Sequence, residues 1–211
     1  MEEKKEKFSN PYDTGLEPEK EAVVLKEDES KPKLANPGPL GLLGFGMTTV
    51  LLNIHNAGII ELSVVITSMG FALGGFAQII AGVFEMKQGN TFAGTAFIAY
   101  GSFWWSLVYI WFNPGDVMDP ADEMSMGFYL TLWGIFSLFM YICTLKHKRG
   151  IQVTFLTLTI LFFGLAARDF TMIEEIGIIS GYIGLFCGGS AIYNSMAQML
   201  KEEYGKEVLK L

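Results

Sequence analysis

The chain has 211 residues, 51% of them apolar and 14% aromatic, and it carries a formal net charge of −7. Its charged residues are distributed so unevenly that a soluble globular domain is hard to build from it. A soluble helical bundle is the alternative, and it is disfavoured because each helix would need a polar face. The composition therefore predicts an all-α membrane protein.

The first 33 residues differ in composition from the rest of the chain. They hold 17 charged residues and three prolines, with very few large apolar side chains, so they cannot bury enough surface to fold alone. We predict a disordered, charged cytoplasmic tail over residues 1–33, with a regulatory or docking segment as the alternative. No signal peptide is recognisable there, so the first apolar stretch is expected to act as its own insertion signal.

Six uncharged stretches follow this tail. Each is at least 18 residues long, and about 20 helical residues cross a hydrocarbon core about 30 Å thick. We therefore predict six transmembrane helices in a domain of residues 34–200, followed by a short cytoplasmic tail over residues 201–211. The stretches are Leu34–Ile60, Leu62–Phe84, Gln88–Gly115, Met124–Leu145, Gly150–Ala167 and Ile176–Leu200.

The basic residues predict the orientation of these helices. If the amino terminus is inside, 14 Lys and Arg residues lie inside and only Arg168 lies outside, a strong positive-inside bias. We predict a multi-pass protein of the plasma membrane with both termini cytoplasmic. Eight acidic residues accompany Arg168 outside, so the outer face is negative and should repel small anions at low salt.

The sequence offers no convergent set of catalytic or metal-binding side chains. Its two histidines are His55, near the outer end of the first span, and His147, in an inner turn. Glu85 lies at the inner end of the second span, where a boundary position is the simpler interpretation. Cys143 and Cys187 match no metal-ligand spacing, so we interpret them as buried small residues. An enzyme is therefore disfavoured, and we predict no catalytic residue, metal or cofactor.

Uncharged polar residues within the spans suggest the passage of a small solute. We expect most of these residues to form hydrogen bonds between helices. The candidates for polar groups along a pathway are Thr48, Asn53, Gln78 and Thr154. Glycines also recur four residues apart in the second and sixth spans, as in Gly70 with Gly74 and Gly184 with Gly188, and we interpret them as sites of close helix packing.

Several long motifs resemble one known family. The segments "NPGPLGLLGFGMTTVLLNIHNAG", "AQIIAGVFEMKQGNTFAGTAFIAYGSFWWSLV", "LWGIFSLFM" and "CGGSAIY" occur in the order found in the acetate uptake transporter family, whose bacterial members are called succinate-acetate permeases. The resemblance extends from about Leu34 to Gly205. The first motif of the family is usually "NPAPLGL", and this chain has Gly38 where that pattern has alanine.

The resemblance implies a six-helix protomer that assembles as a hexamer with one pathway in each protomer. It also implies transport of acetate and other short monocarboxylates, with succinate in some members, by a proton-linked or channel-like route. It assigns a hydrophobic constriction to Phe45, Tyr100 and Leu158, and it associates Leu158 and Ala191 with the size of the carboxylate that passes. The implied partners are therefore acetate, protons, membrane lipid and further copies of the chain, and not nucleic acid.

Counting residues gives an independent check on the constriction. At about 1.5 Å per residue, Phe45, Tyr100 and Leu158 all lie roughly 12–15 Å into their spans, near the middle of the membrane. A dry constriction opposes a free anion, because desolvating a charge costs several kcal/mol. We therefore expect the acid to travel with a proton, so that lowering the external pH raises uptake.

Two other functions remain open at this stage. A channel for a small neutral solute, such as urea, a short amide or ammonia, fits the lack of buried charge. A small-molecule sensor that signals through the charged tail is the alternative from a different class. Deleting residues 2–33 would abolish the activity of a sensor but leave transport intact.

Overall fold

A computed structural model describes residues 34–112 and 119–210, and within these ranges the chain is helical with short connections. No strand occurs in the described ranges, which confirms the all-α prediction. The predicted tail of residues 1–33 lies outside the described residues. The helices are α1 Gly38–Asn56, α2 Val64–Lys87, α3 Thr91–Phe112, α4 Glu123–Thr144, α5 Arg149–Thr171 and α6 Glu174–Tyr204.

Four of the helices, α2, α4, α5 and α6, are long and apolar enough to cross a membrane. Helices α1 and α3 have 19 and 22 residues, but α1 contains four glycines, and α3 contains two tyrosines and three tryptophans, which lowers their mean hydropathy. The prediction of a helical membrane domain is therefore confirmed, while six spans stay a prediction. Helix α6 also continues to Tyr204, beyond the predicted end of the domain at residue 200.

Helix α5 is longer than the uncharged stretch that predicts it. The stretch ends at Ala167, but the helix continues through Arg168 and Asp169 to Thr171. The two charged side chains pair at 3.0 Å between Arg168 Nη1 and Asp169 Oδ1, which offsets the cost of burying the carboxylate. The helix then ends at Met172, whose φ of 58° is left-handed.

Polar side chains define the starts of α1 and α4. The side-chain oxygen of Asn36, one residue before the N-cap Pro37, accepts a hydrogen bond from the Gly38 amide at 3.0 Å and so pairs one of the free N–H groups of the first turn. Asp122 caps α4, where its Oδ1 accepts from the amide of Ser125 at 2.7 Å. The hydrogen bonds from the Ser125 hydroxyl and amide lower the pKa of Asp122 below its ordinary value.

Helices α1 and α6 pack closely through glycine. A Cβ atom on Gly188 would lie 2.7 Å from the carbonyl oxygen of Gly46, and a Cβ on Gly46 would lie 2.8 Å from the carbonyl oxygen of Gly188. Only glycine permits the two backbones to approach so closely. The predicted role of the glycines of the sixth span in close packing is confirmed at this contact.

The middle of α2 is π-helical over Gly70–Ala77. The indole of Trp104 covers Gly74, where a Cβ would lie 2.7 Å from the ring, and it covers the first glycine of this segment in the same way. Nε1 of the neighbouring Trp105 donates to the carbonyl oxygen of Phe71 at 3.1 Å. The glycines of this π-helical segment therefore make room for indole rings, and the prediction that Gly74 and its partner four residues earlier bring helix backbones together is wrong.

Several polar side chains are fully buried in the bundle, while many large apolar side chains face outward. Most of the largest fully buried side chains are polar, whereas many large apolar side chains are more than half exposed. A soluble domain shows the opposite arrangement, so these surfaces suit lipid. The fully buried polar side chains are Gln78, Asn53, Asn194, Thr48, Thr144, Ser137 and Ser195, and the exposed apolar ones include Val64, Phe71, Leu132, Phe139 and Phe186.

Four segments meet at one end of the bundle, which we call the inner end. The Gln88 side chain, after α2, donates to the carbonyl oxygen of Ala35 at 2.8 Å. Asn36, before α1, donates to the carboxylate of Glu202 near the end of α6. His147, in the turn before α5, lines a cavity together with Asn36. All Lys and Arg residues of the described ranges except Arg168 lie in the turns, the adjoining helix ends or the tail at this end.

Candidate functional site

A cavity of about 330 Å³ extends from the inner end into the bundle. Five helices and the α4–α5 turn contribute to its wall, so the cavity depends on the whole bundle. Its lining residues are Asn36, Gly38, Leu42, Phe45, Gln78, Glu85, Gln88, Asn90, Phe92, Ala93, Ala96, Phe97, Tyr100, His147, Ile151, Thr154, Phe155, Leu158 and Gln198.

A second, much smaller cavity of about 30 Å³ lies deeper in the bundle. Three residues line both cavities, and they are Phe45, Tyr100 and Leu158. These side chains therefore separate the two spaces. They come from α1, α3 and α5, the three helices on which the resemblance and the depth count locate the constriction.

The three side chains form an apolar layer held in place by its surroundings. The exposed fractions of Phe45, Tyr100 and Leu158 are 6%, 3% and 3%, and the rings of Phe45 and Tyr100 are tilted with centroids 5.8 Å apart. The hydroxyl of Tyr100 hydrogen-bonds Oγ of Ser137 on α4 at 2.9 Å. The ring of Phe136 packs edge-on against Tyr100 at 5.3 Å, so α4 fixes Tyr100 from behind.

Polar side chains line the larger cavity at its inner end. The carboxylate of Glu85, which is 5% exposed, accepts a hydrogen bond from Nδ2 of Asn90 at 2.7 Å. The imidazole of His147 packs on the ring of Phe92 with centroids 4.8 Å apart. A solute entering from the inner end therefore meets a carboxylate, amides and an imidazole before it reaches the apolar layer.

The structure divides the predicted pathway polar residues into three groups. Gln78 and Thr154 line the larger cavity, and Asn53 lines the smaller one. Thr48 lines neither cavity, and its hydroxyl donates to the carbonyl oxygen of Gly44 within its own helix at 2.6 Å. A hydroxyl that bonds its own helix in this way is a common arrangement in membrane helices.

The hydroxyl of Thr154 is already engaged. It contacts Oγ of Ser190 at 2.7 Å, lies 3.1 Å from the carbonyl oxygen of Gly150 and accepts a weaker bond from Asn194. Ala191, predicted to influence substrate size, is fully buried and lines neither cavity. It belongs to the same apolar core cluster as Leu158, so it can act on the apolar layer through packing.

Several residues lie in an environment different from the one predicted for them. Glu85 and His147 were assigned to boundaries, yet both line the larger cavity, as does Asn90. Glu85 and Asn90 lie on the two sides of the tight turn between α2 and α3, which brings their side chains together. Their closeness in sequence across this turn is the only local signal that could have predicted the pair. Cys143 is exposed and Cys187 is buried, so the prediction of burial is wrong for Cys143, whose helix presents it to the outside of the bundle.

These features define the class of the protein. Buried polar groups, an exposed apolar exterior and a cavity that leads from one end to an apolar layer belong to an α-helical, multi-pass membrane protein with a path for a small solute. Residues 21–206 match the GPR1/FUN34/yaaH family. The chain belongs to this family, and the resemblance to acetate uptake transporters is confirmed.

Individual relatives make the likeness more specific. The chain is 50% identical over 180 residues to the succinate-acetate/proton symporter SatP of Escherichia coli K12, covering 85% of this chain and 96% of that protein. It matches the solved structure of the bacterial acetate channel SatP with a TM-score of 0.83 and 50% identity, covering 85% of this chain and 99% of that one. It is also 36% identical over 175 residues to ammonia transport outward protein 2 of Saccharomyces cerevisiae, covering 78% of this chain and 61% of that protein.

Proposed function

We propose that this protein transports acetate and other short monocarboxylates across the plasma membrane together with a proton, with succinate as a larger candidate substrate. The observation that carries the proposal is the 50% identity, over most of both chains, to a succinate-acetate/proton symporter. The cavity and its apolar layer support it, because they offer a path of suitable size to a small acid. Transport requires no covalent chemistry, so no enzymatic activity is part of the proposal.

Phe45, Tyr100 and Leu158 form the gate in this proposal. A carboxylate that crossed the layer would lose its water and meet two aromatic rings and an isobutyl group, at a cost of several kcal/mol. The neutral acid escapes most of that cost. The gate therefore favours acid that carries its proton, with Leu158 and the packing of Ala191 behind it limiting the size of the acid.

The proposed arrangement has six membrane spans and both termini in the cytoplasm. The alternation of the six helices supports it, since the starts of α1, α3 and α5 and the end of α6 meet at the inner end with the basic residues. We assign residues 1–33 and 201–211 to cytoplasmic tails and residues 34–200 to the membrane domain. Assembly as a hexamer with one pathway per protomer completes the proposal, and the exposed apolar side chains are available to lipid and neighbouring protomers.

Labelled acetate flux into proteoliposomes tests the function. The comparison is between the parent protein, Leu158→Ala and the control Leu156→Ala, which truncates a 39% exposed leucine on the same helix that lines neither cavity. We expect the parent to take up acetate above the level of protein-free liposomes. We expect Leu158→Ala to raise the flux of a larger acid relative to acetate at least about fivefold, which corresponds to about 1 kcal/mol of barrier, and Leu156→Ala to behave as the parent.

Two results would contradict the proposal at different levels. If acetate never enters above the background, the transport function itself is wrong. If acetate enters but Leu158→Ala and Leu156→Ala behave alike, the function stands and the gate assignment fails. Because protonated acetate crosses bilayers unaided, the protein-free background is subtracted at each pH.

Ammonia is the second candidate substrate. The observation that favours it is the 36% identity to the yeast protein named for outward ammonia transport, together with the absence of Lys and Arg from the described lining of the larger cavity. Swelling of proteoliposomes in acetate, urea and ammonium salts separates the candidates. A protein that passes ammonia or urea but not acetate is a channel for neutral solutes.

A further inference from the structure

The side chain of Gln78 has no hydrogen-bond partner within the described part of the protein. Its Nε2 and Oε1 atoms are both buried and both unpaired, and the residue is fully buried in the wall of the larger cavity. Leaving a buried donor or acceptor unpaired is destabilising because the group has given up its water without a replacement, and native proteins rarely do so. No described protein group satisfies this amide, and because Gln78 lines the cavity, a molecule in the cavity can serve as its partner.

The chemistry of a primary amide defines a matching partner. An amide presents an N–H donor and a carbonyl acceptor side by side in one plane. A neutral carboxylic acid presents the complementary pair, an acceptor carbonyl beside an O–H donor, so the two groups can form a ring closed by two hydrogen bonds. A carboxylate anion has acceptors only. It would accept a hydrogen bond from Nε2 but leave the acceptor Oε1 facing a negatively charged carboxylate oxygen.

Two further polar side chains of the cavity, those of Thr154 and Glu85, do not favour an anion. Thr154, the other polar residue that we consider in the inner pathway, already has protein partners for its hydroxyl. The titratable side chains that line the cavity are Glu85 from α2, Tyr100 from α3 and His147 from the α4–α5 turn. Lys148 and Lys201 line an adjoining groove and not this cavity. The carboxylate of Glu85 repels an anion and leaves a neutral acid unaffected.

We propose that Gln78 binds the protonated, neutral form of the transported acid, with Nε2–H donating to the acid carbonyl and Oε1 accepting from the acid hydroxyl. This assignment rests on the proposed function, and it supplies a reason why substrate and proton travel together. Substrate recognition then occurs on the inner side of the gate, before the acid meets Phe45. The bound species is neutral, so it can cross the apolar layer without the cost of removing a charge from water.

Competition against labelled acetate uptake tests this assignment on the unmodified protein. Acetamide is neutral across the useful pH range and has the same donor and acceptor edge as acetic acid. Methyl acetate has a similar size and an acceptor but no donor. We expect acetamide, equilibrated on both sides of the membrane, to inhibit uptake and methyl acetate at the same concentration to have little effect. Equal inhibition by the two compounds would overturn the assignment, since a single acceptor would then suffice.

Variants locate the effect at residue 78. Gln78→Met keeps the length of the side chain and removes both hydrogen-bonding groups, so we expect about a tenfold loss of apparent acetate affinity and loss of inhibition by acetamide. The control Gln152→Met removes an amide of α5 that lines neither cavity, and it should keep inhibition by acetamide. If Gln78→Met is inhibited by acetamide as strongly as the parent, Gln78 is not the binding group.

The outcomes separate this inference from the proposed function. If the parent protein takes up no acetate, the function fails and the assignment of Gln78 fails with it. If acetate is taken up while acetamide and methyl acetate inhibit equally, the function stands and only the binding of a neutral acid by Gln78 is refuted. Should Gln78→Met fail to fold, the competition on the parent protein alone still decides the chemical form that binds.

Discussion

Adding one methyl group at Gly188 is expected to disrupt the contact between α1 and α6. The new Cβ would lie 2.7 Å from the carbonyl oxygen of Gly46 and 2.8 Å from both N and Cγ2 of Val50. Two of these three atoms belong to the backbone, so no side-chain rotation relieves the clash and the helices must move apart. Overpacking of this kind costs about 1–3 kcal/mol. For a domain of this size the loss corresponds to a fall of about 2 to 12 °C in Tm.

Gly189 provides the matched control for this prediction. It is the next residue of the same helix, and no atom lies within 4 Å of the point where its Cβ would stand. Gly189→Ala also gains about 0.5–1 kcal/mol of helix propensity, so its Tm should equal or exceed that of the parent. The assay is thermal unfolding in detergent, followed by tryptophan fluorescence at one heating rate, because irreversible unfolding depends on that rate. A Gly188→Ala protein as stable as the parent, or equal losses in both variants, would refute the packing argument.

Two further predictions concern the helix starts. Gly38→Ala, which restores the alanine usual in the family motif, should fold and transport as the parent does. Its methyl would lie 3.1–3.3 Å from side-chain oxygens of Asn36, Gln198 and Glu85, which can shift by a few tenths of an ångström; a clear loss of uptake or Tm would contradict this. Asp122→Ala should lower Tm at pH 7, because the ionised carboxylate caps α4. The pKa of Asp122 is lowered in the folded state, so its contribution is present at neutral pH and is lost as the pH falls through that pKa. The Tm difference between parent and variant should therefore shrink from pH 7 to about pH 3, and a constant difference would show that ionisation is not involved.

The helical membrane domain could be predicted because the hydrocarbon core imposes a length and an apolar composition on every span. The same rule made the fifth helix too short, since it counts Arg168 and Asp169 as a boundary. The two side chains neutralise one another at 3.0 Å, and the helix continues to Thr171. Pairing between adjacent charged residues depends on side-chain geometry that a count of uncharged residues does not contain.

The π-helical part of α2 could not be predicted from the glycine spacing. Glycines four residues apart are compatible with close approach of a backbone or with a large side chain lying across them. In α2 the indole of Trp104 covers Gly74, and the donor of Trp105 bonds the carbonyl of Phe71. At Gly188 the same spacing admits the backbone of α1. The difference lies in the facing helix, which is a tertiary property.

The inner end of the cavity shows the same limit. Glu85, Asn90 and His147 stand next to charged turns in the sequence, where residues usually face water. They line a cavity because four segments converge there, and convergence depends on how the helices pack. By contrast, the depth of Phe45, Tyr100 and Leu158 follows from residue counting along three parallel helices. Their common position between two cavities agrees with that count, while their role as a gate stays a prediction for the flux measurements.

The two cavities also bear on how the proposed gate would open. The space beyond the apolar layer is about 30 Å³, against about 330 Å³ on the inner side, so the path is open to the inner end and closed beyond the layer. Tyr100 is held by Ser137 and by the ring of Phe136, whereas Leu158 has no polar anchor and a small, rotatable side chain. Moving Tyr100 would break a buried hydrogen bond, which costs more than changing one leucine rotamer. We therefore expect Leu158 to be the moving part of the gate and Tyr100 its fixed wall, which also explains why truncation of Leu158 should change the size of the acid that passes.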